Sequence, residues 1–156
     1  MKKLISLFIV SFVLTSCGFQ VSQNKINFKI DQISVEGDKR INYEIKNYLL
    51  LNSQKKSLNT IKVSINTKKD KFIFEKNIKN EITKYRIRIT ANIEIEHMQN
   101  NELKKFTISK IGTFNVENRN SQTINNEKKL IKLLTLDLTE EIQDKIIENT
   151  NDIKEL

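Results

Sequence analysis

The sequence has 156 residues, a formal net charge of +8, one cysteine, one histidine and no proline. A single cysteine excludes an intrachain disulfide and a thiolate metal cluster, and the length suits one domain with a single modest core. The chain is rich in Lys, Asn and Ile, and because compositional bias alone produces such a sequence, overall basicity is a poor guide to function.

The first residues have the order of a secretory signal peptide. Lys2 and Lys3 precede an apolar run over residues 4–14, which is shorter than the roughly 20 residues that span a bilayer as a helix. The run ends in Leu14, Thr15, Ser16 and Cys17, which resemble the lipobox of bacterial lipoproteins. We therefore predict a signal peptide at residues 1–16, cleavage before Cys17 and a lipid anchor on the sulfur of Cys17.

The residues after Cys17 predict the destination of the lipoprotein. Gly18 is not the aspartate that commonly retains lipoproteins in the inner membrane, so we expect the outer membrane, with the protein facing the periplasm. Residues 17–27 are predicted to form the lipidated N-terminus and a tether, and three acyl chains would hold the protein there essentially permanently.

A strand and a helix are predicted to open the domain. Phe28, Ile30, Ile33 and Val35 alternate with polar residues, but the alternation slips by one near Gln32, as at a β-bulge. Gly37 ends this strand. Asp38 is then a candidate helix cap, and one apolar stripe of the following helix has the spacing i, i+4, i+7 and i+8, at Ile41, Ile45, Tyr48 and Leu49.

Two further strands follow. Ile61, Val63 and Ile65 predict a half-buried strand, and Lys68–Lys71 form either a polar turn or a continuation of the strand beyond the sheet. The alternation from Tyr85 to Ile95 predicts a long antiparallel strand with one face in solvent.

A fourth strand and a long helix complete the pattern. Phe106, Ile108, Phe114 and Val116 share one strand face, with Lys110 and Gly112 as irregular positions. From about Ser121 an amphipathic helix of roughly 25 residues or more is predicted, with its apolar stripe at Ile124, Ile131, Leu134, Leu138, Ile142 and Ile146.

These elements predict an α+β fold, a two-layer sandwich with the order β-α-β-β-β-α. Two helices packed on one face of a four-stranded, mainly antiparallel sheet would bury every apolar face. We place the domain at residues 28–149 and expect residues 150–156 to fray.

The residue pattern favours no enzyme class. His97, next to a polar turn, is interpreted as a surface residue, since no second histidine or cysteine completes a metal site. The three glycines are scattered and form no phosphate-binding loop, and no serine has a plausible histidine partner. We expect a protein that is not an enzyme and has no cofactor.

The lipobox, the tether and the order of elements together resemble the LptE family of lipopolysaccharide-assembly lipoproteins. The likeness includes the start Cys17-Gly18-Phe19, the strand led by Tyr85 and the passage from Phe114 past Ser121 into the last helix. Many members have basic and proline residues where this chain has Gln and Val, so Cys17 is the one functional residue carried over. The resemblance implies a partner of the LptD β-barrel in lipopolysaccharide transport to the outer leaflet.

Basic residues concentrate in the middle of the chain. Residues 55–88 contain 11 basic and 3 acidic side chains, and because export disfavours nucleic acid as a partner, anionic lipid or sugar phosphate is the expected counterpart. Pairing the strands around Ile61 and Tyr85 as a hairpin gives a candidate binding site for lipopolysaccharide phosphate. Its residues are Arg86 and Arg88 as first choices, with Lys84, Lys62, Lys68, Lys69 and Lys71.

A second hypothesis stays open from the sequence. The chain would then be a lineage-specific outer-membrane lipoprotein that serves as an interaction or assembly module of another envelope complex. Independently of this choice, the basic hairpin could be only a solubilising face.

Overall fold

The computed structural model describes residues 28–57 and 59–151. The elements follow the predicted order β-α-β-β-β-α, which confirms the α+β class. They are β1 (Lys29–Gly37), α1 (Lys39–Asn52), β2 (Thr60–Lys76), β3 (Ile82–His97), β4 (Leu103–Asn115) and α2 (Asn120–Asn151).

The strands form one sheet in the order β1-β2-β3-β4. β1 is parallel to β2, whereas the β2–β3 and β3–β4 pairs are antiparallel. The pairing of β1 shifts between Ile30 and Gln32, so the bulge predicted from the slipped alternation is confirmed.

Both helices pack on one face of the sheet, which we call the helix face. Alternate residues of β2 from Ile61 to Thr67 and of β3 from Ile87 to His97 point into this layer and are buried. The apolar residues among them meet the apolar stripes of α1 and α2. The most deeply buried side chains include Phe28, Ile41, Ile45, Leu49, Ile61, Ile65, Ile89, Ile93, Leu138 and Ile142. The opposite face, which we call the outer face, has no helix over it in the described part of the chain.

The turn from β1 into α1 explains why the chain reverses at Gly37. Gly37 has φ +100°, and a Cβ there would overlap the Thr67 carbonyl oxygen, so the turn requires glycine. Asp38 then caps α1, because its carboxylate accepts from the backbone N–H groups of Arg40 at 3.1 Å and Ile41 at 3.2 Å.

Two polar side chains join α1 to the sheet below this turn. Thr67 donates to Asn42 Oδ1 at 2.7 Å, and both residues are buried. Lys69 binds the Asp38 carboxylate at 2.8 Å. Burial alone would raise the pKa of Asp38, but the Lys69 ammonium and the two backbone N–H donors outweigh it and lower the pKa.

Of the two predicted alternatives for Lys68–Lys71, the structure shows the continuation of the strand and not the turn, and the segment is paired within the sheet. β2 continues through it to Lys76, and each residue has a partner on β3, from Lys68 opposite Thr90 to Lys71 opposite Ile87. β1 ends opposite Thr67, so the part of the β2–β3 hairpin at residues 68–90 extends past β1. We call this part the distal hairpin.

Lys110 and Gly112 were predicted as irregular positions of β4, and the structure corrects this. The strand is unbroken, and both residues point to the helix face, in phase with Ile108 and Phe114. Lys110 binds Glu141 of α2 at 2.5 Å. Gly112 leaves room for Leu130, whose Cδ1 would lie 2.6 Å from an added Cβ.

The last helix begins at Asn120, close to its predicted start, and continues to Asn151. Ile124 was predicted in its apolar stripe, but it is 42% exposed, because it lies before the helix reaches the core. Thr150 is buried and donates to the Ile146 carbonyl, so ordered helix extends past the predicted boundary at residue 149. Among the described residues, neither helix is long and apolar enough to cross a membrane.

Candidate functional site

The structure distributes the seven predicted basic residues over both faces of the sheet. Lys62, Lys68, Lys84, Arg86 and Arg88 lie on the outer face, because each is one step out of phase with a core residue of its strand. Lys69 and Lys71 point to the helix face. The hairpin therefore does not present all seven cations as one ladder.

Lys69 and Lys71 connect the sheet to the helix layer. Lys69 binds the capping carboxylate of Asp38, and Lys71 binds Glu127 of α2 at 2.6 Å. The Lys71 ammonium also lies 4.4 Å from the centre of the Tyr85 ring, which stacks on Phe114 at 5.6 Å. Both lysines are thus engaged in packing the helices, and their charges are not available to a ligand on the outer face.

The three lysines on the outer face are each neutralised by a neighbouring carboxylate. Lys62 lies 3.4 Å from Glu96 and Lys68 lies 3.1 Å from Asp70. Lys84 binds Glu75 at 2.7 Å, and the hydrogen bond from Lys84, followed by one from Thr83, lowers the pKa of Glu75. The first pair follows from strand pairing, since Lys62 is opposite Glu96. The second follows from the two-residue repeat of a strand, since Lys68 and Asp70 are two residues apart on β2 and share its outer face.

Arg86 and Arg88 differ from these lysines. Within the described residues, no carboxylate forms an ion pair with either guanidinium. Instead Arg86 lies over the Phe74 ring at 4.0 Å, and Arg88 lies near the Phe72 ring at 5.7 Å. A planar guanidinium stacked on an aromatic ring keeps its N–H edge free for an oxyanion.

The two phenylalanines were missed in the sequence, where the residues after Lys71 were not assigned to a strand. Phe72 and Phe74 are 45% and 46% exposed, and Phe72 is opposite Arg86 in the pairing. The Phe-Ile-Phe run was the available signal, because aromatic and β-branched residues are enriched in strands.

Charge on the outer face changes along the sheet. A shallow depression of about 330 Å³ at the other end of the sheet is lined by Gln32, Ser34, Lys62, Val63, Ser64, Glu94, Glu96 and Leu103. Both of its carboxylates are paired, Glu94 with Lys105 and Glu96 with Lys62. In the distal hairpin, by contrast, Arg86 and Arg88 have no carboxylate partner among the described residues, so an anionic ligand is favoured there.

His97 was predicted to lie on the surface, and this was wrong. It is 4% exposed, and its Nε2 has no hydrogen-bond partner. The cause is its position in the alternation of the strand. His97 lies two residues after the buried Ile95 and pairs with the buried Ile61, so its side chain points to the helix face. Burial lowers the pKa of His97. The part of the chain that the structure describes contains no cluster of metal-ligating side chains.

The predicted signal peptide (residues 1–16), Cys17 and the predicted tether lie outside the described residues, as do residues 152–156. The predictions made for these segments are therefore not tested by the structure.

No protein-family model matches the chain, and no curated protein sequence matches it. Solved structures do match. Rare lipoprotein B from Shewanella oneidensis superposes with a TM-score of 0.64 at 12% identity, over 80% of this chain and 99% of that one. Uncharacterized lipoprotein B from Nitrosomonas europaea gives 0.59 at 14% identity, over 86% and 93%.

A third similar structure is a lipoprotein from Caulobacter crescentus CB15, with a TM-score of 0.55 at 12% identity, over 80% of this chain and 90% of that one. At these identities the likeness is one of fold. Rare lipoprotein B is another name for LptE, so this chain has the fold of LptE-like lipoproteins.

Proposed function

We propose that this protein is an outer-membrane lipoprotein, anchored through Cys17, that acts with the LptD β-barrel in moving lipopolysaccharide to the outer leaflet. The observation that carries the proposal is the shared fold with rare lipoprotein B, over 99% of that chain. The lipobox at residues 14–17 and the Cys-Gly-Phe start support it independently of the fold. The proposed role is one of binding and assembly, and it requires no catalysis.

Lipopolysaccharide would be recognised first by Arg86 and Arg88. Lipid A and the inner sugars carry phosphates or carboxylates, and guanidinium groups bind such oxyanions through paired, charge-assisted hydrogen bonds. Since the lysines of the candidate site are already paired with carboxylates, an anion gains less from them. Exposed contacts are individually weak and screened by salt, so binding should fall as ionic strength rises.

Affinity purification from the native envelope tests the partner. The tagged protein should recover a large β-barrel with bound lipopolysaccharide, and the recovery should depend on the anchor. Recovery of a secretin, of peptidoglycan or of nothing would contradict the proposal and support the alternative, a module of another envelope complex.

The anchor has its own test, in which Cys17→Ala is compared with the wild type after metabolic labelling with a fatty acid. The variant should remain an unlabelled, uncleaved precursor, because the thioether to diacylglycerol requires the sulfur and cleavage depends on that modification. Equal label in the two proteins would refute lipidation at Cys17.

A further inference from the structure

The distal hairpin combines exposed apolar side chains with unneutralised positive charge. On its outer face Phe72 and Phe74 are about half exposed, and Ile78 in the turn is fully exposed. Ile111 of β4, opposite Arg88 on the same face, is 52% exposed. An exposed apolar patch of this kind marks an interaction surface in a soluble domain.

The turn holds its apex in a defined shape. The Asn77 side chain accepts hydrogen bonds from the backbone N–H groups of Lys79 at 2.9 Å and Glu81 at 3.0 Å. Its own backbone N–H donates to the Glu81 carbonyl at 2.9 Å. An ordered turn thus presents Ile78 to solvent. Moving the Ile78 side chain from solvent into a binding partner would therefore cost little conformational entropy.

Charge in the distal hairpin is strongly asymmetric. It contains eight basic and three acidic side chains. Among the described residues, four of its cations form no ion pair, namely Lys76, Lys79, Arg86 and Arg88. Of its three carboxylates, Glu81 forms none. The surface therefore suits a partner that is both anionic and apolar.

We propose that the outer face and apex of the distal hairpin dock on an anionic phospholipid bilayer. Phe72, Phe74 and Ile78 enter the boundary between headgroups and acyl chains, and the unpaired cations bind lipid phosphates. Lys76 and Lys79 have long stems that allow their ammonium groups to reach the headgroups. This inference goes beyond the proposed function, since it requires neither lipopolysaccharide nor the barrel, and the anchor only supplies a nearby bilayer.

A bilayer fits the arrangement better than a protein groove does. Apolar residues occur on the outer face, at the apex and, with Ile73 at 54% exposure, on the helix face beyond the helices. A groove in a protein covers one side of a hairpin, whereas a fluid lipid boundary can surround the apex.

A fluorescent reporter tests the docking in the full-length protein. Cys17 is the one native cysteine, so Ile78→Cys introduces a single new thiol for an environment-sensitive dye, and the dye-treated wild type serves as the blank. Lys132→Cys, exposed on α2, is the matched control. The protein is placed with vesicles of phosphatidylethanolamine and phosphatidylglycerol that carry a lipid-bound quencher and contain no lipopolysaccharide.

We expect a blue shift at position 78 and quenching several-fold stronger than at position 132. Vesicles with phosphatidylcholine in place of phosphatidylglycerol, or the added changes Arg86→Gln and Arg88→Gln, should reduce both signals. Phe72→Ser with Phe74→Ser should do the same, and a cooperative thermal melt of this variant checks that it remains folded.

Three results would overturn the inference. The first is a spectrum at position 78 unchanged by anionic vesicles, and the second is equal quenching at both labels. The third is a shift that occurs only when a purified β-barrel partner is added, which would assign the apex to a protein. Failure of barrel recovery or of lipopolysaccharide binding would affect the proposed function alone.

Discussion

The sheet has two halves that follow different rules. In the half covered by helices, every inward position of β2 from Ile61 to Ile65 is apolar and buried, and the outward positions are polar. In the distal hairpin the inward positions include Lys69 and Lys71, and phenylalanines lie on the outer face. Backbone pairing is continuous through both halves, and on the helix face of β3 burial continues as far as Ile89 and Ile87. The two halves therefore differ mainly in β2 and on the outer face.

The division predicts where substitutions matter. The covered half should determine the free energy of unfolding, because its side chains bury apolar area. The outer face and apex of the distal hairpin should tolerate substitutions while controlling what the protein binds, since the side chains there contact solvent and each other. Ile87 and Ile89 on its helix face are buried and belong to the core.

The largest effect is expected from a cavity in the covered half. Ile93→Ala removes a side chain that is 1% exposed, and such changes cost about 2–5 kcal/mol of unfolding free energy. The matched change Ile73→Ala, in the distal hairpin, should cost less than about 1 kcal/mol. Urea unfolding of both variants measures this, and equal losses would show that the hairpin is part of the core.

The next effect comes from the turn that begins α1. Gly37→Ala forces a side chain into a left-handed conformation, which costs about 1–2 kcal/mol, and its Cβ would also overlap the Thr67 carbonyl. Gly112→Ala meets only the flexible end of Leu130, which can move aside. Thermal melts should therefore rank Gly37→Ala as clearly less stable than Gly112→Ala, and the opposite order would refute this account of the turn.

A smaller effect should follow the protonation of His97. Because burial lowers the pKa of His97 in the folded protein, the unfolded chain takes up the proton more readily. The contribution of neutral His97 to the free energy of unfolding is therefore complete above the ordinary histidine pKa of about 6.5. This contribution is lost as the pH falls below about 6.5 towards the lowered pKa that His97 has in the folded protein. His97→Leu cannot titrate there, so its urea midpoint should fall less than that of the wild type between about pH 7 and pH 5. Parallel curves would mean that His97 does not contribute.

The sequence predicted the covered half well because each apolar stripe there is local. The β1 bulge, the Asp38 cap and the Tyr85–Ile95 alternation each depend on a few neighbouring residues. Lys110, Gly112 and His97 were misplaced for one shared reason: polar or small residue type was given more weight than phase, although all three are in phase with buried neighbours on their strands.

The candidate site was less predictable than the fold. Alternation alone places Arg86 and Arg88 on the outer face, as was predicted. Which lysines are neutralised depends on the pairing across the β2–β3 hairpin and on contacts with α1 and α2. Those contacts join residues far apart in the chain, such as Lys71 and Glu127, and no local pattern reveals them.

Lipopolysaccharide binding by a pair of double variants tests the central claim most directly. Arg86→Gln with Arg88→Gln removes the two unpaired outer-face arginines, and Lys128→Gln with Lys129→Gln removes two exposed charges from α2. Both variants should have nearly the same melting temperature as the wild type, because surface substitutions usually alter the free energy of unfolding by less than about 0.5 kcal/mol. We predict that the arginine variant loses several-fold in affinity at low salt, that this loss shrinks as salt rises, and that the lysine variant binds like the wild type. Equal losses in the two variants, or no loss in either, would contradict the claim that the distal hairpin recognises the ligand.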